Sequence, residues 1–210
     1  MASGILLVGF DYSDVQVDEF HDWYDLEHIP ERQNVNGFGA CHRWVDESLS
    51  YSVATYDLAT IDVLDSQPYL AIAYENLSPW SKRVTSKCKR LVRFEGTLMH
   101  GEQATVPAQA GGLLVNAMNV APQHEADFNA WYDQEHLPAL CSVPGTLSAF
   151  RYRGRPNSSH QYLAIYYLEH PEVANTSEWK AAATSPWSDR VRPHFQDRVR
   201  IPVHRYERST

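Results

Sequence analysis

Cysteine is scarce in this sequence: Cys41, Cys88 and Cys141 are the only three in 210 residues. Three thiols cannot all pair, and none forms a Cys-x-x-Cys, so a disulfide framework is excluded and reduced thiols in a cytoplasmic protein are expected. Positive charge is also in deficit. The net charge of −8 argues against a nucleic-acid binder, which needs a basic patch or stripe. No stretch approaches the ~20 apolar residues of a membrane span. The start, Met1-Ala-Ser-Gly4, has no basic region before its apolar run, so neither a signal peptide nor a membrane partner is expected. The Gly-x-Ser-x-Gly elbow, the phosphate loop and the dinucleotide glycine pattern are all missing. His21 and His28 lie two helical turns apart, but no third ligand accompanies them at metal spacing, so no metal is expected.

What the chain does contain, it contains twice. Phe20-His-Asp-Trp-Tyr-Asp-Leu-Glu-His-Ile-Pro30 returns as Phe128-Asn-Ala-Trp-Tyr-Asp-Gln-Glu-His-Leu-Pro138. The same offset pairs Gly4 with Gly112, Gly37 with Gly145 and Arg43 with Arg151. Slipped by one residue, Ser78-Pro-Trp-Ser-Lys-Arg-Val84 repeats as Ser185-Pro-Trp-Ser-Asp-Arg-Val191. A repeat of this length decides the architecture before any local pattern does. It divides the chain into a first unit over 1–100, a linker over 101–111 and a second unit over 112–210.

Within the first unit, residues 4–10 form an apolar run suited to a buried strand. Ser13 and Gln16 resemble a capping box opening a helix over about 14–28, which Pro30 should end near His28. Strands follow over 38–45 and 51–58, then a helix over 61–76, a Ser78-Pro79 helix start, and a strand from about 91 to 99. The second unit repeats this with strands at 113–119, 146–153, 161–168 and 197–206, and helices at 123–136, 172–183 and 186–195. Pro202 inside the last strand implies an edge or a bulge. The fold class is therefore α+β, two β-α-β-β-α-β units of ferredoxin-like order.

A β-α-β-β-α-β unit bearing F-x-x-W-Y-x-x-E-H-x-P on its first helix, followed by a glycine and a strand, resembles the dimeric α+β barrel superfamily, and most of all its EthD-like branch. The resemblance covers both units. It implies that the two antiparallel sheets pack as a fused barrel within one chain, with a small, mostly apolar pocket per unit between sheet and helices. Members of that superfamily include polyketide cyclases and dehydratases, muconolactone-type isomerases, cofactor-free monooxygenases and distant haem enzymes.

His28 and His136 are the leading candidates for chemistry. At a helix C-terminus the dipole favours protonation, which would hold an imidazole near neutrality and suit it to proton transfer. The alternative is that each caps a free carbonyl. Tyr24 and Tyr132 could donate to a developing enolate oxygen, while Trp23 and Trp131 at helical spacing suit either core or pocket. Asp25 and Asp133 read as solvated or capping. Arg43 and Arg151 either grip a substrate carboxylate or pair with Glu27 and Glu135; those glutamates could instead orient the neighbouring His. Arg83 and Arg190 suit a solvated face. His42, matched by Phe150, sits beside His28 in the first unit only, which favours that unit if one alone works.

The leading expectation is a cofactor-independent acid/base enzyme acting on a small conjugated oxo or enol carboxylate, an isomerase or a lactone- or ester-processing enzyme of aromatic-compound catabolism. A polyketide-type cyclase or dehydratase is the enzymatic alternative, and a non-enzymatic small-molecule-binding barrel the other. Haem needs only one axial His, but a helix-end His beside Glu and Pro is unlike a dedicated ligand, so no cofactor is expected. The expected partner is a small-molecule substrate, with pairing of the fused barrel into a homodimer left open.

Overall fold

The computed structural model describes residues 3–100 and 104–208. Eight strands run in the order β1 (Gly4–Asp11), β2 (Phe38–Val45), β3 (Tyr51–Leu58), β4 (Lys89–Leu98), β5 (Gly112–Val120), β6 (Thr146–Gly154), β7 (Tyr162–Leu168) and β8 (Phe195–Tyr206). They close into one antiparallel barrel, β1-β3-β2-β8-β5-β7-β6-β4, with β4 returning to β1. Each half supplies four consecutive strands of the ring. The two seams are short: Arg43–Val45 against His204–Tyr206, and Gly96–Leu98 against Tyr152–Gly154. Pro202 lies just outside the first seam, opposite Leu114 on β5, where its missing N–H costs no ladder bond to β2.

Alternation along the strands builds three cores from one ring. Ile5 and Leu7 of β1, with Leu113, Val115 and Ala117 of β5, point into the barrel and meet Trp44, Phe94, Ile165 and Tyr167 there. The interior is packed with side chains. The alternate residues, Leu6, Val8 and Phe10 in one half and Leu114 and Met118 in the other, face outward onto helices. Because both faces are covered, β1 and β5 read as continuous apolar runs rather than alternating ones. From the linker, Ala104, Val106 and Ala110 pack against the barrel interior, so this segment is a plug as well as a connection.

The first long helix departs from expectation at both ends. Ser13 bonds Asp11 through its backbone N–H and its hydroxyl instead of capping, and the helix opens at Val17. It then runs through Val17–Asp22, a π-helical Trp23–His28 and Ile29–Gln33 without a break at Pro30. The second long helix repeats this over Glu125–Trp131, Tyr132–His136 and Leu137–Cys141. In the wider turn Ile29 N–H bonds Tyr24 C=O, five residues back. A π turn displaces the carbonyl that a proline ring would strike in a regular helix, so the chain passes proline while staying helical. His28 and His136 are thus mid-helix residues. The expected helix over 61–76 is three short turns, Ile61–Asp65, Gln67–Leu70 and Tyr74–Asn76, interrupted where Pro68 and the positive φ of Tyr74 fall. Ser78 and Ser185 do cap the helices Pro79–Thr85 and Pro186–Val191, each accepting from the backbone N–H three residues on.

Candidate functional site

The repeated motif supplies two different environments, because the π turn faces its residues in several directions. Trp23 is core, while Trp131 packs in the core and also borders a cavity; each indole N–H donates to a buried serine hydroxyl, Ser81 at 2.9 Å and Ser188 at 3.2 Å. Glu27 accepts from Ser78 Oγ at 2.5 Å, and Glu135 from Ser185 Oγ, so both glutamates tie the long helices to the caps of the Ser-Pro-Trp helices. Arg83 and Arg190 pair with Glu19 and Asp127 on the exposed face.

Arg43 and Arg151 are buried and pair with aspartates, not with Glu27 and Glu135. Arg43 donates to Asp25 Oδ1 at 2.8 Å and to His21 Nδ1 at 2.7 Å, and its guanidinium lies 4.5 Å from the Tyr24 ring centre and 4.4 Å from that of Tyr206. Arg151 bonds Asp133 and Asn129 in the same way, over Tyr132. Asp25 and Asp133 are therefore the counter-ions of two buried arginines rather than solvated or capping groups. The expected His42–His28 neighbourhood does not form, since His42 opens with Arg205 and Arg208 onto a different cleft.

His28 and His136 open onto one cavity per half, between sheet and helices. The first, of about 160 Å³, is walled by Leu6, Val8 and Phe10 of β1, Tyr56 of β3, Arg90 and Arg93 of β4, and His28, Arg32, Tyr69 and Tyr74. The second, of about 40 Å³, holds His136, Trp131, Tyr132, Asn116 and three arginines. Tyr24, Trp23, Arg43 and Glu27 do not line the first cavity, nor Arg151 and Glu135 the second. The residues that replace them in the first cavity, Tyr56, Arg32, Arg93, Tyr69 and Tyr74, carry no repeated motif. The one signal available was strand alternation, which sets Tyr56 and Arg93 beside Leu6 and Val8 on the outer face.

Among the described residues of the first half, five buried polar side-chain atoms lack a hydrogen-bond partner: Asp25 Oδ2, His28 Nδ1, Arg43 Nε, Ser52 Oγ and the Tyr56 hydroxyl; His28 and Tyr56 are the two of these residues that line the first cavity. Their counterparts, His136 Nδ1 and the hydroxyl of Tyr166, which faces Leu114 as Tyr56 faces Leu6, are orphaned too. Burial, then the Arg32 and Arg93 charges, hold His28 well below its ordinary value, so its imidazole is neutral. Burial and nearby arginines take His136 down to about 3. The helix-end histidine held near neutrality is corrected to a mid-helix one that burial and neighbouring arginines keep neutral, buried at His136 and half-buried at His28. Around it Arg93 donates to the hydroxyls of Tyr69 at 3.1 Å and Tyr74 at 3.3 Å and pairs with Glu95, while Arg32 pairs with Glu31 at 2.6 Å. The site therefore combines an aromatic wall, a neutral proton acceptor and three guanidinium groups, those of Arg32, Arg90 and Arg93.

Among the described residues no three His, Cys, Asp or Glu side chains cluster as a metal ion requires, and no helix is long and apolar enough to cross a membrane. A haem does not fit either cavity. The larger, at about 160 Å³, is below the roughly 300–1,000 Å³ of pockets that enclose drug-sized ligands, and a tetrapyrrole is larger than those.

No family model and no curated protein matches this sequence. Solved structures do. An anthrone oxidase-like protein, 12% identical, superposes with a TM-score of 0.65 over 99% of this chain and 94% of its own. A candidate monooxygenase from Fusobacterium nucleatum subsp. nucleatum, 10% identical, gives 0.57 over 97% and 92%. A variant chlorite dismutase from Candidatus Nitrospira defluvii, 11% identical, gives 0.59 over 99% and 93%. These neighbours belong to the dimeric α+β barrel superfamily, and this chain shares their fold.

Proposed function

We propose that the chain is a tandem duplication of an EthD-like ferredoxin-like unit, and that its first half is a cofactor-independent enzyme moving protons on a small conjugated oxo or enol carboxylate. The observation that carries this reading is the pair of orphaned buried atoms, His28 Nδ1 and the Tyr56 hydroxyl, facing one cavity between arginines. A buried polar atom without a partner is costly, so its persistence suits a group that meets its partner in a ligand. A cavity of about 160 Å³ suits a small monocyclic or ring-cleavage compound.

In this mechanism the substrate carboxylate enters beside Arg32 and Arg93. Neutralising those two charges removes part of what depresses His28, and its basicity rises when substrate is bound. His28 then takes the proton next to the substrate carbonyl. The enolate charge forms on the carbonyl oxygen, where the Tyr56 hydroxyl donates to it, and return of the proton at another carbon gives the isomer. An isomerase, or a lactone- or ester-processing enzyme of aromatic catabolism, uses this first step. The anthrone oxidase-like neighbour supports a second reading, in which the same carbanion is consumed by dioxygen. The free thiols Cys41, Cys88 and Cys141 suit a reducing, cytoplasmic setting.

A panel of hydroxy-dienoates, lactones and short polyketide mimics, followed by absorbance and by an oxygen electrode, separates these readings. Isomerisation without oxygen uptake supports the first and uptake the second. In either case His28→Gln lowers kcat by about 10²–10⁴-fold and Tyr56→Phe by less. Binding without conversion of any compound would make the protein a small-molecule-binding barrel. Full activity in His28→Gln would sink the mechanism.

A further inference from the structure

The cavity in the second half has diverged in charge as well as in size. Arg93 faces Val8 across β1 and β4, and Arg200 faces Asn116 across β5 and β8, so the two arginines hold equivalent places. Arg93 has its counter-ion in Glu95, which lies opposite Leu6. The residue opposite Leu114, in the place of Glu95, is Pro202. The carboxylate has gone while the guanidinium has stayed.

Two more arginines reach the same cavity, Arg192 and Arg198, and among the described residues no acidic one lines it. Among the described residues all three bond neutral acceptors only. Arg198 donates to Asn116 Oδ1 at 3.3 Å, Arg200 to Ala174 C=O at 3.0 Å, and Arg192 to Ala183 C=O. Burial, and then the charge of Arg198, lower the pKa of Arg200, the mark of positive charge without an anion beside it. His136 is 8% exposed, lines the cavity, and keeps a buried Nδ1 with no partner.

We propose that this second cavity binds a small oxyanion, a carboxylate of acetate size or its planar isostere nitrate, held by Arg192, Arg198 and Arg200. A volume of about 40 Å³, against about 160 Å³ in the first half, suits such a small ion better than a substrate of the first cavity. Guanidinium groups pair with a planar oxyanion through two parallel N–H bonds, a geometry chloride cannot use. The two halves then divide the work, one cavity for a reacting compound and one for a structural or modulating anion. This assignment stands on the second half alone and does not depend on the chemistry proposed for His28.

The test is a thermal-unfolding titration of the full chain with sodium acetate and sodium nitrate, against sodium chloride at equal ionic strength. It is paired with imidazole NMR of His136. Both oxyanions should raise Tm above the chloride control and move the His136 signals saturably. The exposed substitution Arg198→Gln, alone and with Arg200→Gln, should weaken binding by about tenfold or more. His28→Ala should leave binding as it is. No Tm rise beyond chloride, still His136 signals, or an equal effect in the double variant would each overturn the site.

Discussion

Arg43 is the most constrained charge in the first half. It is 5% exposed, it donates to Asp25 and to His21, and aromatic rings cover it. Removing one partner of a buried pair leaves the other charge stranded, so Arg43→Ala should lower unfolding free energy by about 3–5 kcal/mol in urea titrations. A raised KM with unchanged stability would instead return Arg43 to substrate binding. Because an arginine can only donate, His21 Nδ1 is the acceptor and Nε2 carries the proton. Burial, then the Arg43 charge, take His21 from 6.5 down to about 4. Between those values the unfolded chain takes up a proton that the folded chain refuses, so stability falls as pH drops from 6.5 to 4 and levels off below. Asn129 accepts the corresponding Arg151 bond at 2.7 Å with no titrating group. His21→Asn should therefore flatten the acid side of the stability profile, read from denaturation midpoints at pH 4 to 7. An unchanged slope would assign the acid sensitivity to other histidines.

At the scale of elements, the sequence was legible wherever local chemistry decides. The strands Phe38–Val45 and Tyr51–Leu58 fall where alternation and the Asp46–Ser50 turn set them, and the Ser-Pro starts fall at their caps. The long helices were misread at their middle. Proline next to a regular helix reads as a stop, and nothing in the residue pattern announces a π turn that lets the helix continue. That turn also decides which side chains face where, so Glu27 meets a helix cap while Asp25 meets Arg43. The need of Arg43 and Arg151 for an anion was readable from the strand; which anion met it was not. Beyond each helix Gly37 and Gly145 turn the chain into the next strand with φ of 96° and 88°, and a Cβ on Gly145 would lie 2.7 Å from Val173. Gly145→Ala should cost about 1–2 kcal/mol from the left-handed backbone, with the clash adding to it. A neutral result in thermal unfolding would show that this turn relaxes freely.

On the scale of the whole molecule, the two halves supply equivalent arcs of one barrel, and the duplication we propose would make their differences the product of divergence. Each half reaches across to the other at equivalent places: Arg208 bonds Asp22 and approaches Asp25, and His100 approaches Asp133. With the interior filled by side chains and plugged by Ala104, Val106 and Ala110, the two cavities that the motif histidines face lie outside the ring, under the helices. There the halves part. The first has a cavity of about 160 Å³ with Arg93 paired to Glu95, and the second one of about 40 Å³ whose arginines, among the described residues, bond neutral acceptors only. The motif histidines were legible from the repeat, but the unequal volumes around them arise from residues that share no motif. Full-chain activity should therefore depend on His28 and not on His136.

Proton NMR in D2O, with the wild type, His28→Ala and His136→Ala variants and a conjugated oxo or enol carboxylate, tests that claim most directly. Solvent deuterium should enter the substrate carbon with wild type and with His136→Ala, and the rate should fall by about 10²–10⁴-fold with His28→Ala. Deuterium uptake that survives in His28→Ala, or that vanishes in His136→Ala alone, would contradict the account.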